Sequence, residues 1–299
     1  MKYLVLDVGG SSIKYALMDE QAQIYERGST PTPQDTLEHF IETIGQLYDD
    51  YKGGIEGIAL SMPGIIDPQK GYCFTGGALS YIRDIPMKEK LQQRCPCPIT
   101  IGNDAKCAGA AELGFGNLQD VEDGVVIVLG TAVGGCVIHQ GEVQYGKHFF
   151  GGEFSMIFSH GIDGEDFWWA TNGILGLLKC VQKRLSTQQE YTGIEIFEMA
   201  NQGHLEVQKA IKDFVTILVK RIYSLQCVLD PEKFVIGGGI SAQPLLFEYI
   251  QQVNDEIFEN NDYYVKPVIE PCYYRNDANL VGALYQFLNQ NKRKGIDVR

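Results

Sequence analysis

Two stretches of the sequence share one pattern, in which an apolar run ends at a bend of small residues and a second apolar run follows. They are LVLDVGGSSIKYAL at residues 4–17 and VIVLGTAVGGCVIH at residues 126–139. Short apolar runs on either side of a glycine-containing turn are typical of β-hairpins. Because one copy opens the chain and the other lies near its middle, we predict two halves of similar construction, with the two bends facing each other across a cleft.

The remaining apolar residues follow helical or extended spacing. Helices are predicted at residues 36–51, 87–94, 104–113, 168–185, 207–229 and 278–289. Further strands are predicted at residues 23–29, within 55–67, at 99–102 and at 233–236, and the polar end at residues 291–299 is predicted to fray. Hairpins mixed with helices indicate an α/β chain, and a length of 299 residues is enough for two domains.

Charge and hydropathy exclude several kinds of partner. The chain has 38 acidic and 25 basic residues, which gives a net charge of −13, whereas nucleic acids and anionic membranes select basic surfaces. No apolar run approaches the roughly 20 residues of a spanning helix, and no signal-peptide pattern precedes Tyr3. We therefore expect a cytoplasmic protein that binds neither nucleic acid nor membrane.

The cysteine and histidine residues give no sign of a metal site. The eight cysteines and five histidines are scattered, without the spacing of metal ligands. Cys95-Pro-Cys97 contains the one close pair of cysteines, and this spacing differs from the CxxC pattern of zinc knuckles. The residues therefore predict reduced thiols and no zinc.

The first bend is a candidate phosphate site. Consecutive backbone N–H groups at such a bend form an anion-binding concavity, and Asp7 ends an apolar strand, where it is well placed to hold Mg²⁺ beside a polyphosphate. Lys14 either neutralises phosphate charge or is a solvated residue on the outer face of its strand. Both bends lead into strands, so neither is a P-loop or a dinucleotide-binding turn. The alternative is that both are ordinary hairpin turns, in which Gly and Ser are common.

A second candidate site lies at Asn103 and Asp104, where a predicted strand ends and a helix begins. Asn and Asp are preferred N-cap residues, and spacing alone favours this structural role. In the catalytic alternative, Asp104 stays ionised at the positive end of the helix dipole and accepts a proton from a substrate hydroxyl, while Asn103 binds a neighbouring hydroxyl.

Two more glycine-containing segments are candidates for ligand binding. The segment GGEFSM at residues 151–156 carries Glu153, which is either a solvated loop residue or a bidentate acceptor for vicinal sugar hydroxyls. The segment GGGIS at residues 237–241 follows an apolar strand, and its glycines would let a nucleotide ring or an α-phosphate approach the backbone.

In their order along the chain, these motifs resemble those of the ROK family of sugar kinases and sugar-responsive repressors, which belong to the actin-like ATPase superfamily. DVGGSSIK resembles the first phosphate motif of the family, SMPGIID the strand and loop beneath the sugar, and GNDAKCAGAAELGFG the segment that carries the catalytic aspartate. LGTAVGGCVI resembles the second phosphate motif, and IGGGIS resembles the adenosine-side loop. The resemblance covers nearly the whole chain.

The resemblance implies a role for each matching residue. Asp104 would be the general base, and the sugar would bind Asn103, Glu153, Gly64 and Gly77. ATP would bind Asp7, Gly9, Gly10, Ser11, Ser12, Lys14, Gly130, Thr131, Gly134, Gly135, Gly238 and Gly239, with Asp7 supporting Mg²⁺ through the nucleotide. The family also implies a homodimer.

Three departures from the family pattern qualify this assignment. Met156 stands where many members have a histidine that helps to hold the sugar ring, and residues 159–173 lack the cysteines of the family's zinc cluster. This zinc-free form resembles the β-glucoside kinase branch, so a plain glucokinase is less favoured. Ala132 replaces a frequent glycine in the second phosphate motif, which is harmless if its φ angle is negative.

We therefore expect the two-domain α/β fold of the actin-like ATPases, related to ribonuclease H, with a cleft between the domains. The smaller domain would comprise residues 1–117 and 278–299, and the larger residues 118–277. The expected reaction is the ATP-dependent phosphorylation of a hexose or hexoside, at the 6-hydroxyl of a β-glucoside or glucose-like sugar. N-acetylmannosamine or fructose is an alternative substrate, and a non-catalytic sugar sensor or a repressor relative is an alternative of another class.

Overall fold

The computed structural model describes residues 1–158, 167–259 and 264–293. The chain forms two compact units. The first unit comprises Met1–Gly114, Tyr145–Phe150 and Asp277–Arg299, and the second comprises Phe115–Gln144 and Gly151–Asn276. Among the described residues, no helix is long and apolar enough to cross a membrane.

Strands and helices alternate along the described residues. The strands are β1 (Tyr3–Val8), β2 (Ser12–Met18), β3 (Ile24–Pro31), β4 (Ile58–Met62), β5 (Ile66–Asp67), β6 (Tyr72–Thr75), β7 (Arg83–Ile85), β8 (Ile99–Asn103), β9 (Gly124–Leu129), β10 (Val133–His139), β11 (Glu142–Gln144), β12 (Lys233–Gly237) and β13 (Ile269–Pro271). The helices are α1 (Leu37–Tyr51), α2 (Met87–Arg94), α3 (Asp104–Phe115), α4 (Trp168–Asn172), α5 (Ile174–Leu185), α6 (Gly193–Asn201), α7 (Leu205–Leu229), α8 (Pro244–Phe258) and α9 (Ala278–Arg293).

The main sheets of the two units have the same plan. The first has the strand order β3-β2-β1-β4-β8, and the second has the order β11-β10-β9-β12-β13. In each sheet the first strand of the unit pairs antiparallel with the next strand and parallel with a later one. The predicted halves of similar construction are therefore present. A small antiparallel sheet, β5-β6-β7, completes the first unit.

Burial explains why the central strands read as continuous apolar runs. In β1 all residues except Asp7 are fully buried, as expected for a strand that is covered on both faces. Helix α9 packs against β1, β4 and β8. In the second unit, α7 places Val207, Ile211, Val215 and Leu218 in the core at helical spacing.

The prediction of one long helix at residues 168–185 is wrong, because Gly173 divides it into α4 and α5. Gly173 is extended, with φ −85° and ψ −172°. A Cβ atom at this position would lie 2.4 Å from the carbonyl oxygen of Thr131. The Ile174 N–H then donates to the Gly130 carbonyl at 3.0 Å. The break therefore lets the start of α5 support the second bend.

The ends of several elements also differ from the prediction. Helix α9 continues to Arg293, beyond the predicted end at residue 289, and residues 294–299 of the predicted frayed end lie outside the described residues. Helices α6 and α8 and strands β5, β6, β7, β11 and β13 were not predicted. Most of these elements are short, so apolar periodicity is a weak signal. Helix α8 was missed although Leu246, Ile250 and Val253 are buried at helical spacing.

A close backbone contact in the first unit joins α9 to α3. A Cβ atom at Gly282 would lie 1.6 Å from the carbonyl oxygen of Cys107. No side chain fits there, so the two helices touch through their backbones. This contact fixes how the last helix lies across the first unit.

We predict that Gly282→Ala lowers the free energy of unfolding by about 1–3 kcal/mol or more, because the added methyl group must push the two helices apart. Helix propensity alone predicts the opposite, a gain of about 1 kcal/mol. The measurement is thermal unfolding, with Gly53→Ala as the control, since a Cβ atom at Gly53 meets no atom within 4 Å. A melting temperature for Gly282→Ala at or above that of the wild type would contradict this packing.

Candidate active site

The first bend turns its carbonyl groups toward the protein. The Gly9 N–H donates to the Ser12 carbonyl at 2.9 Å, which closes the hairpin. The Gly9 carbonyl accepts from the Thr32 hydroxyl at 2.7 Å, and the Ser11 carbonyl accepts from the Thr32 N–H at 3.1 Å. Neither Gly9 nor Gly10 has a positive φ angle. A left-handed backbone therefore does not explain these glycines, and their small size would let a ligand come close to the backbone.

The carbonyl and N–H groups at the tip of this bend differ in their hydrogen bonding. The Gly10 carbonyl accepts from Gln34 Nε2 at 2.6 Å. Among the described residues, the N–H groups of Gly10 and Ser11 donate no hydrogen bond. Both residues are exposed. Two adjacent exposed donors whose carbonyl groups are already bonded suit an anion such as a phosphate.

Asp7 lies directly below this bend, opposite Lys14 on β2 and Ser61 on β4. Its Oδ1 atom accepts hydrogen bonds from Ser61 Oγ at 3.2 Å and from Asn279 Nδ2 at 3.0 Å. Burial is the largest influence and raises the pKa of Asp7, while the Asn279 hydrogen bond, the Lys14 charge and the Ser61 hydrogen bond oppose it. Oδ2 accepts no hydrogen bond from any described residue.

Of two neighbours of Asp7, Lys14 was a candidate from the sequence and Asn279 was not. Lys14 is exposed, and its side chain lies on the same face of the sheet as Asp7, because directly opposed residues of antiparallel strands point the same way. Asn279, in the first turn of α9, was missed. Nothing in its local sequence connects it to a carboxylate at the other end of the chain.

Asn103 and Asp104 lie at the same edge of the sheet as Asp7. The register pairs Asp7 with Ser61 and Met62 with Asn103, so the carboxyl ends of β1, β4 and β8 are adjacent. Asn103, rather than Asp104, caps α3: its Oδ1 atom accepts from the Lys106 N–H at 3.1 Å, which is the N3 donor. Asp104 is the first helical residue, where its Oδ1 atom accepts from the Ala105 N–H at 2.7 Å and the helix dipole stabilises negative charge.

The same asparagine positions the loop after β4. Asn103 Nδ2 donates to the Gly64 carbonyl at 3.0 Å. Gly64 has φ +107°, and a Cβ atom there would lie 2.1 Å from the Thr75 carbonyl oxygen. Gly77, with φ +58°, packs beside Pro63 and Gly64. The two glycines of the candidate sugar side therefore lie together, next to Asn103.

In the second unit, the second bend spans three residues between β9 and β10, since Leu129 pairs with Val133. The Gly130 N–H donates to the Ala132 carbonyl at 3.0 Å. Thr131 and Ala132 are exposed. Ala132 does not have a positive φ angle, so its methyl group causes no backbone strain and replaces glycine at little cost.

A third glycine turn lies next to the second bend within the second unit. Strand β12 runs parallel to β9, with Gly237 opposite Val128, so both strands end at the same edge. Gly238 has φ +88°, and a Cβ atom there would lie 2.3 Å from the Leu129 carbonyl oxygen. Gly239 is exposed, and a Cβ atom there would meet no atom within 4 Å. Gly238 is thus required by the fold, while Gly239 leaves open space for a ligand.

Glu153 belongs to a loop that is fixed on β10. A Cβ atom at Gly135 would lie 2.2 Å from the Phe154 ring and 2.5 Å from the Gly152 carbonyl oxygen, and Gly134 precedes it on the same strand. The Phe154 ring stacks on Trp168 at 5.6 Å. Gly135 is therefore needed to seat the Glu153 loop. The family resemblance implies only a nucleotide-binding role for Gly135.

The expectation about zinc concerns residues 159–173, of which 159–166 lie outside the described residues. Within the described part of the chain, no group of His, Cys, Asp and Glu side chains could hold a metal ion. Met156, which replaces the family histidine, is 47% exposed. The Glu153 loop therefore offers a thioether at this position and no imidazole nitrogen that could bind a sugar hydroxyl.

Comparisons with known proteins agree with these motifs. A sequence model of the ROK family matches residues 3–161 and 169–290. A β-glucoside kinase of Listeria monocytogenes is 28% identical over 298 residues, which cover 98% of this chain and 99% of that protein.

Solved structures share the fold. A ROK family protein from Streptococcus pneumoniae in complex with sucrose has a TM-score of 0.88 and 28% identity, with 98% of this chain and 100% of that chain covered. A ROK family glucokinase from Streptomyces griseus in complex with glucose and AMPPNP has a TM-score of 0.81 and 22% identity, with 95% of this chain and 98% of that chain covered. The predicted fold, that of the actin-like ATPases, is confirmed, and the chain belongs to the ROK family.

Proposed function

We propose that this protein transfers the γ-phosphate of ATP to the 6-hydroxyl of a β-glucoside or a glucose-like sugar, with Asp104 as the general base. The coarser activity is that of an ATP-dependent sugar kinase. The observation that supports the finer proposal is the position of Asp104 directly after the Asn103 cap, at the start of α3, where the Ala105 N–H donates to Asp104 Oδ1 at 2.7 Å and the helix dipole favours the ionised carboxylate.

We assign the nucleotide to backbone donors and open glycine turns, unit by unit. The first bend supplies the N–H groups of Gly10 and Ser11, with Gly9 and Ser12 forming the hairpin around them. On the second unit, we assign the triphosphate and the nucleoside to Gly130, Thr131, Gly134, Gly135, Gly238 and Gly239. Lys14 would offset phosphate charge from its exposed position.

Asp7 suits a magnesium ion that is bound with ATP. A carboxylate oxygen is the donor type that Mg²⁺ prefers, and Oδ2 is the oxygen of Asp7 to which no described residue donates. When bound, Mg²⁺ neutralises phosphate charge and orients the triphosphate. Ser61 and Asn279 hold Oδ1 and so fix the direction in which Oδ2 points.

Asp104 would accept the proton of the sugar hydroxyl as its oxygen attacks the γ-phosphorus opposite the leaving ADP. Proton removal by a positioned base contributes about 10²–10⁴-fold. Most of the remaining acceleration in phosphoryl transfer comes from positioning and charge neutralisation. Asn103, Glu153 and the backbone at Gly64 and Gly77 would position the sugar.

A panel of sugars with ATP separates this proposal from its alternatives. Faster phosphorylation of β-glucosides than of N-acetylmannosamine or fructose supports it, whereas sugar binding without turnover indicates a sensor.

The homodimer and the cytoplasmic location also stay predictions. Light scattering on the purified protein tests the homodimer.

We predict that Asp104→Asn lowers kcat at least about 100-fold, while ATP affinity and melting temperature change little, because Asn103 still caps α3. Steady-state kinetics and calorimetric ATP titration measure this. The control is Asp35→Asn, an exposed aspartate before α1 that bonds His39, which should retain kcat. Turnover near the wild-type rate in Asp104→Asn would rule out the general base.

We predict that Asp7→Asn abolishes Mg²⁺-dependent turnover and yet raises the melting temperature at pH 7–8. Because burial raises the pKa of Asp7, its ionised form opposes folding, so the wild type loses stability as pH rises through that pKa. Asn removes the charge while keeping an oxygen for Ser61 and Asn279. The stability gain should shrink as pH falls through the raised pKa of Asp7, because the wild-type carboxyl is then protonated.

Asp19→Asn is the matched control for this pH dependence. Slight burial would raise the pKa of Asp19, but hydrogen bonds from Tyr25 and from the N–H groups of Gln23 and Gln21 lower it. Asp19→Asn should therefore destabilise the protein at pH 7, and less so at low pH. Melting curves from pH 4 to 8 decide this, and a loss of stability in Asp7→Asn at pH 7 would contradict the account.

We predict that Glu153→Gln raises the sugar KM about 10- to 100-fold and leaves the ATP KM within about twofold. Charge-assisted hydrogen bonds contribute about 1.5–3 kcal/mol each, and Met156 offers no compensating polar group. Initial rates at varied sugar and ATP provide the measurement, with exposed Glu190→Gln as the control. If the ATP KM rises and the sugar KM does not, the loop belongs to the nucleotide side.

A further inference from the structure

Three aromatic side chains of the first unit form a contiguous group that the proposed reaction does not use. Tyr72 and Phe74 lie on β6 with ring centroids 5.0 Å apart in an edge-to-face arrangement. Phe149 stacks on Phe74 at 5.7 Å with an interplanar angle of 24°. We call Tyr72, Phe74 and Phe149 the aromatic group. Phe74 is 38% exposed, so part of the group is open to solvent.

The backbone holds this group outward rather than in the core. Residues alternate along β6, and Cys73 is the side chain that packs inward, against Met62. Phe149 has φ +57°, a left-handed conformation that is rare for a bulky residue. Strain of this kind tends to persist where function requires it. Simple burial of apolar surface therefore does not explain the arrangement.

The aromatic group is attached to the candidate sugar side of the same unit. The Phe74 N–H donates to the Ile65 carbonyl at 2.9 Å. The next residue, Thr75, places its carbonyl oxygen 2.1 Å from where a Cβ atom of Gly64 would be. The Gly64 carbonyl in turn accepts from Asn103. One turn of backbone therefore separates Phe74 from the residues to which we assign the sugar.

We propose that the aromatic group binds the ring of the aglycone, the group carried on the anomeric carbon of a β-glucoside, and so favours substituted glucosides over free hexoses. This inference rests on the proposed function. Aryl rings and the apolar faces of sugars pack on exposed aromatic faces. A solved relative that is 28% identical holds sucrose, a hexose that carries a second ring.

A second copy of the chain is a less suitable occupant. A standard protein interface covers about 800 Å² of each partner, whereas a fully buried aromatic side chain supplies only 150–250 Å². Phe74 is only partly exposed, so the group offers less area than such an interface needs. A single phenyl or pyranose ring is an occupant within this limit.

The test compares glucose, methyl β-D-glucoside, cellobiose and phenyl β-D-glucoside as substrates for the wild type and Phe74→Ala. We expect the wild type to prefer the phenyl glucoside. Phe74→Ala should lower kcat/KM for the phenyl glucoside about fivefold or more, by raising KM. It should change kcat/KM for the methyl glucoside less than twofold. Tyr25→Ala, which removes an exposed aromatic ring of β3, is the control and should change neither.

Phe149→Gly is the second variant, because glycine tolerates the positive φ angle and removes the ring without disturbing β6. It should show the same selective loss. Equal losses for methyl and phenyl glucosides in both variants would overturn the proposal, as would a wild type without preference for the phenyl substrate. A change from dimer to monomer by light scattering would assign the group to a subunit interface and overturn it too.

Binding keeps this test separate from the proposed function. In saturation-transfer NMR with phenyl β-D-glucoside and no ATP, we expect transfer to the phenyl protons in the wild type and a loss of that transfer in Phe74→Ala. If the wild type phosphorylates no sugar but shows this pattern, the proposed function fails and the aromatic subsite stands. If turnover is normal and the phenyl protons receive no transfer, the subsite fails alone.

Discussion

The hydrogen bonds to Asp7 are the constraint on which the candidate chemistry of the first unit depends. They join three separate parts of the chain, because Asp7 ends β1, Ser61 lies on β4 and Asn279 begins α9. Burial raises the pKa of this carboxyl, so its charge is held at a cost that a bound cation would relieve. No described residue donates to Oδ2, which is the atom that we propose for the cation. The last helix of the chain thus positions an atom of the first strand.

Close backbone contacts set the remaining geometry. In the first unit, the carboxyl ends of parallel strands bring Asp7 and Asn103 to one edge of the sheet. In the second unit, the same arrangement brings the bend at Gly130 beside the turn at Gly238. Ligands bind at such edges because the loops after neighbouring parallel strands lie side by side. Glycine is required at Gly238, where a side chain would collide with Leu129.

The sequence predicted what depends on local pattern, and it failed where tertiary contacts decide. The two hairpins, the fold class and the family followed from apolar periodicity and ordered motifs. The cap of α3 was left open between Asn103 and Asp104, because both residue types favour that position and only the bond to Lys106 distinguishes them. The break at Gly173, the partner role of Asn279 and the stacking of Phe149 on Phe74 each depend on residues distant in sequence. The roles of the site residues and the domain boundaries stay predictions.

The position of the transferred phosphate tests the central claim most directly. The purified protein would be incubated with ATP, Mg²⁺ and a ¹³C-labelled β-glucoside, and the product would be examined by ³¹P and ¹³C NMR. The account predicts a phosphate monoester whose phosphorus couples to carbons 6 and 5, through two and three bonds, with one ADP formed for each sugar phosphate. Couplings that assign the ester to another hydroxyl, or release of inorganic phosphate without a sugar phosphate, would contradict it.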